Sequence, residues 1–187
     1  CVGREHISSG AGRKTYDVIS VGTFAPQKGQ FEQLQIAERL RHLRFALAGS
    51  VWNRRYFRRC MEYKQSRALD HVDLYPNLER GRLEDLLSQS RVFLHYKRQE
   101  GFGITTVEGI ARGCIPVVAD SGGQREVVPL PELRFRSDEE IPVKLREVLE
   151  WDRKRVQDGV AALQRHIAGF TVEAFREKMR PVLTRAM

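Results

Sequence analysis

With 187 residues, 41% of them hydrophobic, the chain can bury one full core, and a single folded domain is expected. Its 32 lysines and arginines against 24 aspartates and glutamates leave a net charge of +8. That excess points to anionic partners (nucleotides, phospholipid headgroups or nucleic acid) or to a solvated, arginine-rich surface.

No apolar run is long enough to span a bilayer, and none follows a basic N-terminus as a signal peptide would; a soluble, cytoplasmic protein is expected. Cys1, Cys60 and Cys114 are odd in number and lack metal-ligand spacing. They argue against a disulfide framework or a zinc site and predict free thiols.

In chain order, residues 1–15 carry glycine, serine and charge without periodicity and read as a linker or terminal arm, with one domain over 16–187. The first residue is Cys, as in a fragment of something longer or after processing. Strands are expected over 16–22, 44–49, 71–75, 92–95, 115–119 and 132–135. Helices are expected over 28–41, 52–67, 82–89, 137–150, 153–168 and 171–185, the last begun by Thr171. Lys28 would open the first of these, against the helix dipole.

The most informative stretch is residues 99–128, QEGFGITTVEGIARGCIPVVADSGGQREVV. Gly101 and Gly103 flank Phe102 before a helical pattern, so the backbone can turn sharply and present free N–H groups to an anion. Ile104, Val107 and Ala111 have the spacing of one buried face, and Glu108 falls on the same stripe. A carboxylate there needs a partner, either a protein donor or the hydroxyls of a ligand. Ser121, Gly122 and Gly123 form a second small-residue turn after the next strand, either a plain turn or a nest that contacts a sugar. His95, at a strand end, is either a packed histidine or a pocket liner.

Alternating strands and helices with near-continuous apolar strands imply an α/β, Rossmann-like, doubly wound parallel sheet with helices on both faces. In the order 3-2-1-4-5-6 the crevice opens between strands 1 and 4, which would bring Lys28, Glu100 and the Gly103 helix start together. There is no third glycine of a dinucleotide fingerprint, no P-loop and no DxD pair, so NAD, P-loop chemistry and a divalent metal are not expected.

The pattern Glu100-Gly101-Phe102-Gly103, Glu108, Gly113, Pro116, Ser121-Gly122-Gly123 and Glu126 resembles the C-terminal domain of retaining GT-B glycosyltransferases of family 4. Strand 1 ending in Val21-Gly22, with Lys28-Gly29 beyond it, fits the same family. The His95 strand and the SGG turn are similar to mannosyltransferases that extend lipid-linked oligosaccharides.

The resemblance implies one half of a GT-B fold that binds a UDP-, GDP- or ADP-sugar donor without a further cofactor. A separate N-terminal half would bind a sugar or lipid-linked acceptor, with the whole protein peripheral to a membrane, and no nucleic acid is expected. It implies that Glu108 accepts from the ribose hydroxyls, that Glu100 contacts the sugar, that the amides of Gly103, Ile104 and Thr105 meet the diphosphate, and that Lys28 neutralises it. Gly22, Thr23, Gly101 and Phe102 complete the expected donor site. The family usually has arginine after the strand 1 glycine, where this chain has Thr23. Lys28 and the helix start would then carry the charge, or Arg98 would replace the missing cation. A nucleotide-binding module without transfer chemistry and a basic nucleic-acid-binding domain are the other readings.

Overall fold

A computed structural model of the chain describes residues 14–170. Most of the expected terminal arm and the whole helix expected over 171–185 lie outside the described residues. Six parallel strands, β1 (Tyr16–Val21), β2 (Phe45–Gly49), β3 (Val72–Pro76), β4 (Ser90–His95), β5 (Ile115–Ala119) and β6 (Arg134–Phe135), lie in the order β3-β2-β1-β4-β5-β6. This is the order expected of a doubly wound sheet, and it places the reversal between β1 and β4.

The helices are α1 (Gln30–Glu38), α2 (Arg54–Ser66), α3 (Arg80–Ser88), α4 (Ile104–Ala111), α5 (Gln124–Val127), α6 (Glu140–Leu149) and α7 (Arg153–Ile167). Right-handed crossovers put α1 and α2 on one face and α3 and α4 on the other. Strand residues alternate accordingly: Val18, Phe45, Leu47, Val92 and Leu94 join one buried cluster with α1, α2 and α6. Ile19, Ala46, Ala48 and Phe93 join another with Leu86 and Leu87 of α3. Both faces are covered, which is why the strands read as near-continuous apolar runs. Each fully buried side chain such as Phe45 or Phe93 contributes roughly 2–3 kcal/mol by the area it removes from water. Gly109 lets α4 sit close to the sheet, because a Cβ there would come within 2.7 Å of the Phe93 ring.

Four local expectations need correction. The helix expected from Lys28 is split: Pro26 starts a 3-10 turn over Pro26–Lys28, Gly29 at φ 69° breaks it, and α1 begins only at Gln30. Lys28 therefore ends a turn instead of opening a helix, and the dipole favours a cation there. The sixth strand shrinks to Arg134–Phe135 because Pro131 turns the preceding residues into a 3-10 turn. The buried face of α4 is made by Thr106, Val107, Gly109, Ile110 and Ala111, while Ile104 in its first turn is 53% exposed. The short α5 after the SGG turn was not anticipated.

Cys60 and Cys114 are free and buried. Burial pushes their thiols up, to about 11 and about 12, so neither is a thiolate near neutral pH. Cys1 lies outside the described residues.

Candidate functional site

The site is built from loops that leave the C-terminal ends of β1, β4 and β5. After β1, the Gln30 carboxamide donates to the carbonyls of Gly22 and Thr23 at 3.0 and 2.9 Å and fixes that turn. Ser50, from the loop after β2, donates to the Thr23 hydroxyl at 3.3 Å. The Lys28 stem runs over Gly22, where a Cβ would sit 3.7 Å from Lys28 Cδ.

Across the crevice, Glu100 Oε2 accepts from Lys28 Nζ at 3.0 Å. Residues 72 positions apart in sequence thus meet as the strand order requires. Lys97 Nζ lies 3.4 Å from the same oxygen and His95 Nε2 3.6 Å from it. Burial alone would push the Glu100 carboxyl up, but the Lys28 hydrogen bond and the charges of Lys28 and Lys97 outweigh it and hold it below the usual carboxylate range. With both lysines charged the cluster keeps a net positive charge.

The loop that carries Glu100 is held in place by the turn after β5. Gln99, in left-handed backbone at φ 54°, donates its N–H to Ser121 Oγ at 2.9 Å. Gly123 N–H donates to the Glu100 carbonyl at 2.9 Å. Side chains on Gly122 or Gly123 would not fit, since a Cβ would approach the Glu100 and Gly101 carbonyl oxygens to 2.3 and 2.1 Å. The SGG turn therefore braces Glu100. Next, Gly103 at φ 83° enters α4 with no side-chain cap; its carbonyl accepts from Thr106 and Val107 at 2.9 and 3.2 Å, so the N–H groups of Ile104 and Thr105 ahead of them have no intrahelical acceptor. Gly101 and Phe102 are exposed, Phe102 resting edge-on against Phe170, and Thr105 is half-buried in the first turn of α4.

Glu108 stands apart from this cluster, on the side of α4 that faces α3. Its partner is Arg80, whose Nη2 donates to Glu108 Oε1 at 3.2 Å, while Arg80 Nε donates to Glu84 Oε1 at 3.0 Å. A small cavity of about 20 Å³ lies beside them. Arg98, the alternative cation in place of the missing arginine, pairs with Asp138 at 2.9 Å. Lys97 is the second cation at Glu100, and a lone loop lysine carries no sequence signal that would have singled it out. Among the described residues no group of three or more His, Cys, Asp or Glu side chains is arranged to hold a metal ion.

His95 is 5% exposed and its ring is near-parallel to that of Phe93. Burial pushes its pKa down to about 4; the upward pull of Glu100 is countered by Lys28 and Lys97. The folded imidazole thus stays neutral where the unfolded one, near 6.5, takes up a proton. Between those values the unfolded state binds more protons, so the stability from this group is complete above about pH 6.5 and falls as pH drops toward 4, by on the order of 3 kcal/mol. His95→Gln is expected to flatten that part of the curve in urea unfolding across this range. An unchanged slope would assign it to other groups.

The family of glycosyl transferases group 1 matches residues 3–156 of the chain. The chain belongs to that family. A curated relative, the GDP-Man:Man(3)GlcNAc(2)-PP-Dol alpha-1,2-mannosyltransferase of Dictyostelium discoideum, is 26% identical over 175 residues, covering 83% of this chain and 35% of the relative. The GDP-mannose:cellobiosyl-diphosphopolyprenol alpha-mannosyltransferase of Xanthomonas oryzae pv. oryzae is 24% identical over 123 residues, covering 59% of this chain and 32% of that protein. The chain thus spans about a third of the length of the curated relatives it matches. Among solved structures, the pneumococcal O-GlcNAc transferase GtfA in complex with UDP and GlcNAc superposes with a TM-score of 0.71 at 21% identity, covering 96% of this chain and 37% of that one. That likeness shows the fold: a Rossmann-like domain of the GT-B type, as the group 1 family has.

Proposed function

We propose that the chain is the donor-binding, C-terminal domain of a retaining GT-B glycosyltransferase of family 4. The whole enzyme would transfer a hexose, mannose from GDP-mannose in the first instance, to a lipid-linked acceptor held by an N-terminal domain. The observation that carries this is the Lys28–Glu100 pair across the β1/β4 crevice, beside the uncapped start of α4. The names of both curated relatives, each a GDP-mannose-dependent mannosyltransferase acting on a polyprenyl or dolichyl diphosphate acceptor, favour mannose and a lipid carrier.

In this reading the amides of Gly103, Ile104 and Thr105 and the ammonium of Lys28 take the diphosphate. As the bond from the sugar to the phosphate breaks, negative charge grows on the leaving diphosphate, and donors already aimed at it lower the barrier without reorganising. Glu100, braced from behind by Gly123, is the group next along the donor and orients the sugar. Lys97 keeps the Glu100 carboxylate paired when Lys28 turns to the phosphates, and it supplies the cation that Thr23 does not. A module that binds nucleotide without transferring sugar is the second reading, favoured by Thr23, and sugar transfer by the whole protein would exclude it.

A thermal-shift screen of the chain against UDP-, GDP- and ADP-sugars tests the proposal, since a ligand that binds only the folded state raises its apparent stability. Stabilisation by GDP-mannose above the others is expected; no response to any of them overturns the reading. Glu108→Gln is expected to weaken ribonucleotides by about 1–3 kcal/mol, because a charged acceptor of ribose hydroxyls becomes a neutral one. Calorimetry with 2′,3′-dideoxynucleotides is the control: an equal loss there removes Glu108 from the ribose.

A further inference from the structure

We infer that Trp52 and the first turns of α2 form a docking surface for an anionic lipid membrane. Trp52 is 79% exposed, the most exposed large hydrophobic side chain among the described residues. Its exposure does not come from a loose loop. Phe24 N–H donates to Ser50 O at 2.8 Å, Val51 N–H to Asn77 Oδ1 at 2.9 Å and Asn53 N–H to Phe24 O at 3.2 Å, so the backbone on both sides is pinned and the indole is held outward.

The helix that follows is capped by Asn53 and opens with exposed Arg54 and Arg55, then Arg58, with no acid in its first turn. Among the described residues none of these three arginines makes an ion pair. Cations at a helix start oppose the dipole, and Arg54 with Arg58 and Arg55 with Arg58 are like-charge neighbours on one helix surface. Both effects destabilise α2, so the pattern is explained by an anionic partner outside the fold. Arg59 is not part of the patch, because its guanidinium lies 3.9 Å over the Phe31 ring. Met61 continues the line of Arg54 and Arg58 at i+7 and is 47% exposed, but beyond it the surface turns acidic, with Glu62 next in the chain and Asp70 and Asp73 lining the same hollow as Met61, so the basic patch ends there.

An outward indole among arginines matches a lipid headgroup layer, where tryptophan sits at the interface and basic side chains meet acidic lipids. Single-stranded nucleic acid would call for several stacking rings along a groove. The apolar face of α2, with Tyr56 and Cys60, is already buried against the sheet, so docking is electrostatic with one aromatic anchor and is sensitive to salt. The patch also lies at the C-terminal end of β2, with Ser50 reaching Thr23, and so borders the crevice. Only the consequence that a lipid-borne acceptor would be presented beside the donor rests on the proposed function. The docking itself does not, and nucleotide titration and vesicle binding fail independently.

The test is co-sedimentation of the chain with phosphatidylcholine vesicles with and without phosphatidylserine, alongside Trp52 fluorescence in a Trp151→Phe background. Binding to the phosphatidylserine vesicles alone, reversed by salt and with a blue-shifted Trp52 emission, is expected. Arg54→Ala/Arg55→Ala/Arg58→Ala should lose on the order of a hundredfold in partitioning. Trp52→Ala should weaken binding without altering its salt dependence. Circular dichroism confirms that each variant is folded. Partitioning unchanged by the triple substitution, preference for RNA over the vesicles at equal ionic strength, or loss of vesicle binding in the whole protein each overturns the inference.

Discussion

Lys28→Ala is expected to weaken binding of a nucleoside diphosphate by about ten- to a hundredfold while leaving nucleoside binding nearly unchanged. Two effects act in the same direction. The charge-assisted bond from Nζ to the phosphate is lost, and Glu100, no longer held by Lys28 at 3.0 Å, repels the incoming diphosphate. The fold survives, because Lys28 ends an exposed 3-10 turn and Glu100 keeps Lys97 at 3.4 Å. Isothermal titration with GDP and guanosine decides it. Equal losses for both ligands would place Lys28 away from the phosphates.

Gly123→Ala is expected to abolish donor binding at a cost of about 1–3 kcal/mol in stability. Gly123 has an ordinary right-handed backbone, φ −65° and ψ −11°, which alanine adopts freely. Its need for glycine is therefore steric alone. A Cβ would lie 2.1 Å from the Gly101 carbonyl oxygen and 2.9 Å from its carbon, and a backbone group cannot rotate out of the way as a side-chain tip can. The loop over Glu100 and Phe102 must move and break the Gly123 N–H bond to the Glu100 carbonyl. Gly113→Ala is the matched control. It sits at φ 81° with nothing near its Cβ, so it should cost about 1–2 kcal/mol of backbone strain and leave binding intact. Denaturant midpoints beside calorimetric titrations separate the two. Gly123→Ala with unchanged affinity would mean that the SGG turn does not position the site.

The strand order was legible because most strands are near-continuous apolar segments bounded by turn residues, and parallel pairing with right-handed crossovers leaves few alternatives. From that order the meeting of Lys28 with Glu100 also followed. What stayed hidden was local or long-range. Pro26 and Gly29 together cut the expected first helix, a competition between a turn seed and a left-handed stop that apolar periodicity does not register. Ile104 shares the spacing of Val107 and Ala111, yet only those two are buried, and Ile104 in the first turn of α4 is exposed. The carboxylate of Glu108 was expected to need a partner, but Arg80 lies 28 residues away on another helix, and a single surface arginine gives no hint of it. The brace from Ser121 and Gly123 is made by backbone and hydroxyl groups, which every such turn carries, so only the fold shows that it grips Glu100.

Amide hydrogen exchange with and without GDP-mannose tests the central claim most directly, because it reports where a donor binds as well as whether it binds. Slowed exchange is expected in two separate segments, residues 22–30 after β1 and residues 100–106 at the start of α4, with little change along α6 and α7. Protection confined to other elements, or none at saturating ligand, would contradict a donor site in the β1/β4 crevice.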